Sequence, residues 1–340
     1  MILKTPRPYP ILCKPLFREK PWGGRNMEVL FHKDLPQGKK IGESWEAADL
    51  PQGSSGIANG PLSGKTLTEA ARLWKRDLIG SSWKGQDHFP LLVKILDARE
   101  DLSVQVHPDE ESCRKYFPGH SSKDESWIVL QSDPEGSLFR GFEKGVSLND
   151  FIRALDAGEI EKILRRVPVE KGDSIRNAPG DVHALKKGVM VLEVQEPSDT
   201  TFRIYDYGRI VNGKPRPLHI EEAKKVMNFD WEENPLLPPR RINAPWGERE
   251  LIVDCRAYRM ERWELAKPVE LRPLKETVRI FFFMEGKASF EWEEGGLALT
   301  AGMTMILPAV SGPVFIKSEG ICRIAAMGAG GIDLWQSPRS

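Results

Sequence analysis

The sequence predicts a mainly β protein: two barrel- or sandwich-like modules carrying short helical insertions. Three observations predict it. Short apolar or alternating runs recur between clusters of Gly, Pro, Asn and Asp, the pattern of a sandwich or barrel and not of βαβ units. Only two segments show helical periodicity. One proline-dense stretch, 234–247, interrupts the pattern, and strand-like runs resume after it.

In chain order, the strand-like runs of the first part are Leu91–Leu96, Ser103–His107, Ser126–Gln131, Ser137–Phe142, Val189–Gln195 and Thr200–Tyr207. The helical segments are Leu67–Leu78, which follows GKT, and Leu148–Arg166. In the second, Leu148, Phe151, Ile152, Leu155, Ile160, Ile163 and Leu164 recur near the helical period, and basic residues close the last turn. Asn234–Gly247 holds four prolines in fourteen residues. Proline removes a backbone donor and breaks helices, so this stretch reads as a linker and not as a helix or a central strand. Strands then follow at Glu250–Asp254, Arg256–Leu265, Val278–Gly286, Ala288–Glu293, Met303–Leu307, Val314–Ile316 and Cys322–Met327. That number suits a small jelly roll. The expected organisation is a catalytic domain over 1–233, the linker 234–247, and a second jelly roll over 248–340.

Composition excludes several function classes. The 340-residue chain has 49 Lys plus Arg and 49 Asp plus Glu, a formal net charge of zero. A nucleic-acid surface needs a basic excess to displace counterions, so no nucleic-acid partner is expected. The longest apolar runs, such as Val278–Met284, fall far short of the ~20 residues that cross a bilayer, and no membrane partner is expected either. The N-terminus carries prolines where a signal peptide needs an apolar stretch. Cys13, Cys113, Cys255 and Cys322 lie far apart without a C-x-x-C pair, which gives neither a disulfide framework nor a thiolate zinc site. A cytoplasmic protein, monomer or homodimer, is the expectation.

Chemistry concentrates in three pieces. In SVQVHP, residues two apart share a strand face, so Ser103, Gln105 and His107 form a polar stripe opposite Val104 and Val106. KDESWIVL places Glu125 at the mouth of an apolar strand. GDSIRNAPGDVHAL opens on Gly-Asp and passes a Pro-Gly turn before His183. It resembles the general cupin pattern, with Gly172, Asp173, Gly180 and His183 in register and Pro179 displaced by one. Each piece alone fits a structural histidine or a solvated turn. Together they offer two imidazoles, a carboxylate and an amide oxygen. That set suits Zn²⁺, with Mn²⁺, Co²⁺, Ni²⁺ or Fe²⁺ as substitutes, and leaves a position open for a substrate oxygen. His32, His88, His120 and His219 show no ligand-like spacing. In the second part, Gly302–Pro308 echoes the Gly-to-Pro stretch before His183, but no histidine follows it.

The chain as a whole resembles the type I mannose-6-phosphate isomerases of the short bacterial kind. The resemblance rests on KPWGG (20–24), IGESWEAAD (41–49), GKTL (64–67), PLLVKILDA (90–98), LSVQVHPDE (102–110), KDESW (123–127), PGDVHAL (179–185) and QEPSDTTFRIYDYGR (195–209), in order and near the expected spacing. It implies two cupin-type jelly rolls, the second without metal ligands. It implies one zinc per chain on Gln105, His107, Glu125 and His183. It makes Arg203 the active-site arginine, Lys123 and Asp199 candidates for proton transfer, Lys94 and Ser103 holders of the substrate phosphate, and Trp22 and Glu43 pocket walls. The chain departs from the family at Asp124 and Ser126, where Thr or Pro and Met are frequent, and at Glu196 and Pro197, where Gln and Ser are.

These residue types fit aldose–ketose interconversion, which moves a proton between C1 and C2 through an enediol. A divalent ion stabilises developing oxygen charge, a base stands beside the carbon-bound proton, and a guanidinium binds phosphate or enediolate in a planar fork. Other roles stay open for single residues: Arg203 as ion-pair partner of Asp199 or Asp206, Lys123 as a solvated lysine, Lys94 as a snorkelling one. Three rival functions compete: a non-catalytic sugar-phosphate sensor, an isomerase for another aldose or for unphosphorylated mannose, and an iron-dependent dioxygenase on the same fold.

Overall fold

A computed structural model describes residues 5–83 and 88–336. Its sheets stack in four layers. The first has five strands in the order Leu164–Pro168, Ser137–Phe142, His183–Leu185, Val104–Val106, Phe202–Tyr205. The second has six: Ser174–Asn177, Glu125–Ser132, Val189–Gln195, Leu92–Ala98, Leu16–Gly24, Ile41–Ala47. The third has eight: Arg240–Ala244, Gly247–Asp254, Tyr258–Leu265, Cys322–Ala329, Arg279–Glu285, Thr304–Leu307, Ile11–Lys14, Gly56–Ile57. The fourth has four: Val269–Leu271, Val314–Ser318, Lys287–Trp292, Gly295–Thr300. The mainly β expectation is borne out.

Strand alternation builds the cores between the layers. Trp127, Val129, Leu96 and Val191 of the six-stranded sheet meet Leu138 and Leu185 of the five-stranded sheet. The opposite face of the six-stranded sheet offers Val93, Ile95, Ile128, Leu130, Leu192 and Val194, which pack against Tyr258, Met260, Ile280, Phe282 and Ile306 of the eight-stranded sheet. On the same eight-stranded sheet, Phe281, Phe283, Met305 and Leu307 point the other way, into the core shared with the fourth layer. The period of two thus sorts neighbouring residues into different cores. The six-stranded sheet is covered on both faces, which is why all seven residues of Leu92–Ala98, of Ile41–Ala47 and of Val189–Gln195 are buried.

Several expectations need correction. The segment expected as one helix over Leu67–Leu78 is a helix over Leu67–Trp74, closed at Lys75 with φ 47°, and a short turn over Arg76–Ile79. The segment expected as a helix over Leu148–Arg166 ends at Asp156. Left-handed Gly158 (φ 68°) reverses the chain there. A 3₁₀ turn at Ile160–Ile163 follows, and Leu164–Pro168 pairs with Ser137–Phe142 as an edge strand. The stretch expected as a linker, 234–247, contains the strand Arg240–Ala244, fitted between Pro239 and Pro245 at the edge of its sheet. The prolines do bar a central strand; they tolerate an edge one. Nor does the third sheet stop at that stretch: Ile11–Lys14 pairs with it through Ile11↔Ile306 and Leu12↔Met305. A buried polar link joins the same regions. Glu46 accepts from Ser44 Oγ (2.6 Å) and Thr304 Oγ1 (2.9 Å) and pairs with Lys33 Nζ (2.8 Å).

Among the described residues no helix is long and apolar enough to cross a membrane. The four cysteines are unpaired.

Candidate metal centre

The expected stripe exists and is fixed by sheet register. Val104 and Val106 are fully buried in the core under the Leu148–Asp156 helix. Gln105 lies directly opposite His183 on one side and Arg203 on the other. Residues directly opposite in an antiparallel pair share a face, so His183, Gln105 and Arg203 form one row on the inner face of the five-stranded sheet. His107 follows just beyond the strand end. Gly180, left-handed at φ 92°, delivers the chain to His183 while its N–H binds the His107 carbonyl at 2.9 Å. Across the barrel, Glu125 starts its strand in the facing sheet, between Asn177 and Gln195.

These residues converge. One donor atom each from His107, Glu125 and His183 lies within 4.8 Å of the others, all three buried. Glu125 Oε1 is 3.0 Å from His183 Nε2, and Glu125 Oε2 is 3.5 Å from His107 Nε2. The Gln105 amide is 3.2 Å from His183 Nε2; a half-turn of the amide presents Oε1 at the same place. Each imidazole is aimed by a backbone carbonyl, His107 Nδ1 by Thr200 (2.9 Å) and His183 Nδ1 by Asp181 (2.9 Å). That contact places the proton on Nδ1 and leaves the Nε2 lone pair free, the arrangement of metal-binding histidines. His107 Nε2 is buried without a hydrogen-bond partner. With this orphaned nitrogen beside a carboxylate and a second imidazole, the donor set fits a divalent metal.

The electrostatics agree. Burial, aided by the Lys123 charge, pushes His107 down to about 3, against the pull of Glu125, so the imidazole is neutral and able to ligate. For Glu125, burial alone favours the neutral acid; Lys123, His183 and His107 outweigh it and hold the carboxyl well below its usual range. Lys123 Nζ is 2.7 Å from Glu125 Oε2 and buried with it.

The structure places the other expected residues unequally. Arg203 Nε is 3.3 Å from Ser103 Oγ and Nη1 is 2.8 Å from the Pro217 carbonyl. Among the described residues it forms no ion pair with Asp199 or Asp206; Asp206 is taken by Arg209 and Arg216. Asp199 is exposed, near enough to Lys94 to influence its charge. Trp22 is buried in the core between the two sheets, with Trp127, whose ring stands edge-on to His183 at 5.5 Å. Lys94 is not a free ammonium: it is buried against Gln195 Oε1 (2.8 Å) and Glu193 Oε1 (3.1 Å). Burial disfavours its charge, but Glu193, Glu43, Asp199 and Glu125 raise its pKa above the usual lysine value. Sequence reasoning missed Glu193, Gln195, Asn177 and Thr200. A polar pair inside the apolar strand VMVLEVQ was the available signal for the first two.

Glu43 is buried between Lys20 Nζ (2.9 Å) and the Trp45 indole (2.8 Å). Burial opposes its ionisation, yet Lys94 and Lys20 push it down to about 2, from 4.5. Its contribution to stability is therefore present above pH 4.5 and lost as the pH falls toward 2. Urea unfolding of the wild type and of Glu43→Gln is expected to differ most at neutral pH, with the gap closing on acidification; a constant gap contradicts the assignment. A separate cavity of about 750 Å³, lined by Ile128–Leu130, Lys171, Arg262 and Arg323, lies between the halves and holds none of the donors.

Residues 11–135 match the family described as phosphomannose isomerase type I, catalytic domain. A Bacillus subtilis protein named "Probable mannose-6-phosphate isomerase GmuF" is 33% identical over 317 residues, 92% of this chain and 97% of its own. The crystal structure of the mannose 6-phosphate isomerase from Bacillus subtilis superposes with a TM-score of 0.85 at 31% identity, covering 94% of this chain and 99% of that one. A mannose 6-phosphate isomerase crystallised with zinc and yttrium shares the fold, with a TM-score of 0.74 at 18% identity over 94% of this chain and 99% of that one.

Proposed function

The chain belongs to the type I phosphomannose isomerases and interconverts mannose 6-phosphate and fructose 6-phosphate, and we propose that it does so around one zinc ion held by Gln105, His107, Glu125 and His183. The observation that carries the metal reading is the buried His107–Glu125–His183 cluster with its unpartnered imidazole nitrogen. Bound zinc supplies Lewis acidity toward the oxygens on the reacting carbons.

The protein's own groups do the rest. Lys123 Nζ, 2.7 Å from Glu125 Oε2, is the group assigned the proton transfer between C1 and C2, with the exposed Asp199 as the second candidate. Among the described residues Arg203 pairs with no carboxylate, and it shares a row with the ligands; its planar fork, with Ser103 Oγ, suits the phosphate or the enediolate. Lys94 Nζ already commits two of its three N–H groups to Gln195 and Glu193, so Arg203 and Ser103 carry more of the phosphate role than the resemblance implies. Glu43 and Trp22 brace the wall. The four scattered, unpaired cysteines fit a reducing compartment, in keeping with a cytoplasmic location.

The test is a coupled assay of fructose 6-phosphate formation, run on zinc-loaded and on chelated protein, with free mannose in parallel. Turnover of the phosphate is expected with zinc, lost on chelation and restored by zinc. Equal rates before and after complete chelation overturn the metal reading. Binding of mannose 6-phosphate without turnover is the result a sensor would give, and equal turnover of free mannose removes the phosphate role of Arg203.

A further inference from the structure

The strand that carries Glu125 looks into both halves of the molecule. Glu125, Trp127 and Val129 face the barrel, while Ile128 and Leu130 face the eight-stranded sheet. Ser126 belongs to the second set, and a tyrosine from that sheet meets it. Tyr258 is fully buried, and its hydroxyl lies 2.7 Å from Ser126 Oγ and 3.1 Å from Asp124 Oδ1. One relay satisfies all three groups: Ser126 donates to Tyr258, and Tyr258 donates to Asp124. Asp124 also accepts from Arg176 Nε (3.0 Å) and Nη2. Its N–H donates to Glu196 Oε2 (3.0 Å), and its carbonyl accepts from the Glu196 N–H (3.1 Å). Both neighbours of Glu125 are therefore fixed from the side away from the metal donors.

We propose that Tyr258, contributed by the half that carries no metal donor, is a positioning residue for Glu125 and Lys123, its hydroxyl setting the depth at which the strand entrance presents them. The inference rests on the reading of Glu125 as a ligand. The ring alone would satisfy the surrounding apolar core of Met260, Ile128 and Ile280. A hydroxyl buried there is costly unless paired, and both of its partners flank the ligand in sequence. Groups hydrogen-bonded directly to a ligand change metal affinity or activity about 10–100-fold when removed; Tyr258 bonds the two neighbours of Glu125 and not Glu125 itself, which sets the expected effect at the lower end of that range.

The test compares three variants. Tyr258→Phe removes the hydroxyl and keeps the ring; Ser126→Ala removes the other end of the relay. Tyr9→Phe is the control, because Tyr9 Oη likewise makes two hydrogen bonds, to Asn59 (3.0 Å) and Leu62 (2.9 Å), away from the donors. Zinc affinity is read by competition with a chromophoric chelator, kcat and KM by the coupled assay, and folding by the melting temperature. Tyr258→Phe is expected to weaken zinc binding and lower kcat by up to about tenfold with KM nearly unchanged. Ser126→Ala is expected to move both in the same direction, and Tyr9→Phe to lower the melting temperature alone. If Tyr258→Phe, or Ser126→Ala where that variant does not fold, behaves like the control, the inference is overturned. If the wild type holds no zinc, the metal reading falls and takes the inference with it.

Discussion

Replacing His183 by alanine is expected to abolish both metal retention and turnover while leaving the protein folded. The His183–Leu185 strand is held by backbone pairing to neighbours on either side, so the sheet survives the loss of one side chain. The site does not. Glu125 Oε1 loses His183 at 3.0 Å and keeps only Asn177 Nδ2 at 3.3 Å, and the Gln105 amide loses its partner at 3.2 Å. What remains is one imidazole, the Gln105 amide and a carboxylate already engaged by Lys123. Since removing a mere supporting group costs up to about 100-fold in affinity, removing a ligand should exceed that. Competition with a chelator and the coupled assay measure the two losses side by side. Zinc lost with turnover intact would separate the metal from the chemistry and overturn the central reading.

The largest stability effect is expected far from that chemistry, at Glu261→Ala. Glu261 is fully buried and accepts from Arg249 Nε (2.6 Å) and Nη2 (2.7 Å), Arg259 Nε (2.5 Å) and Trp263 Nε1 (2.7 Å). Taking one partner from a buried ionic group strands the other charge and typically costs 3–5 kcal/mol. Arg249 keeps Asp333 and Arg259 keeps Asp254, which places the loss at the lower end, about 3 kcal/mol. Denaturant unfolding reads it directly. A loss below about 1 kcal/mol, the scale of an exposed pair, would mean that water reaches the cluster.

Legibility in the sequence followed the physics of burial. The Ser103–His107 stripe could be read because one face is polar and the other apolar, and the structure puts Val104 and Val106 in the core as that pattern demands. Ser137–Phe142 and Val189–Gln195 also coincide with their strands, the second as a nearly continuous apolar run buried on both faces. Ile41–Ala47 went unread because its buried run is broken by Glu43, Ser44 and Glu46, the two carboxylates being matched by Lys20 and Lys33 from other segments. Leu16–Gly24 was masked by Pro21 and its irregular register. The overlong helix after Leu148 arose because Ile160, Ile163 and Leu164 keep apolar spacing past Gly158, where backbone conformation and not periodicity decides. The ligands Glu125 and His183 came from a resemblance, since a single glutamate or histidine carries no local signature. Tyr258 had none either: its partners lie more than a hundred residues away.

The pairing of Ile11 with Ile306 has a consequence for biosynthesis. The Ile11–Lys14 segment leaves the ribosome roughly 300 residues before the strand it must join, an interval of about 15–60 s at 5–20 residues per second. Cys13 and Lys14 can pair early with Gly56–Ile57, but throughout that time the Ile11–Leu12 edge lacks its partner, an open β edge of the kind that recruits neighbouring nascent chains. Closing so long a loop also defers the last sheet contact to the end of synthesis. Slow, chaperone-responsive maturation is therefore written into the order of the strands, and a ribosome stalled before residue 304 would display an edge with nothing yet made to cover it.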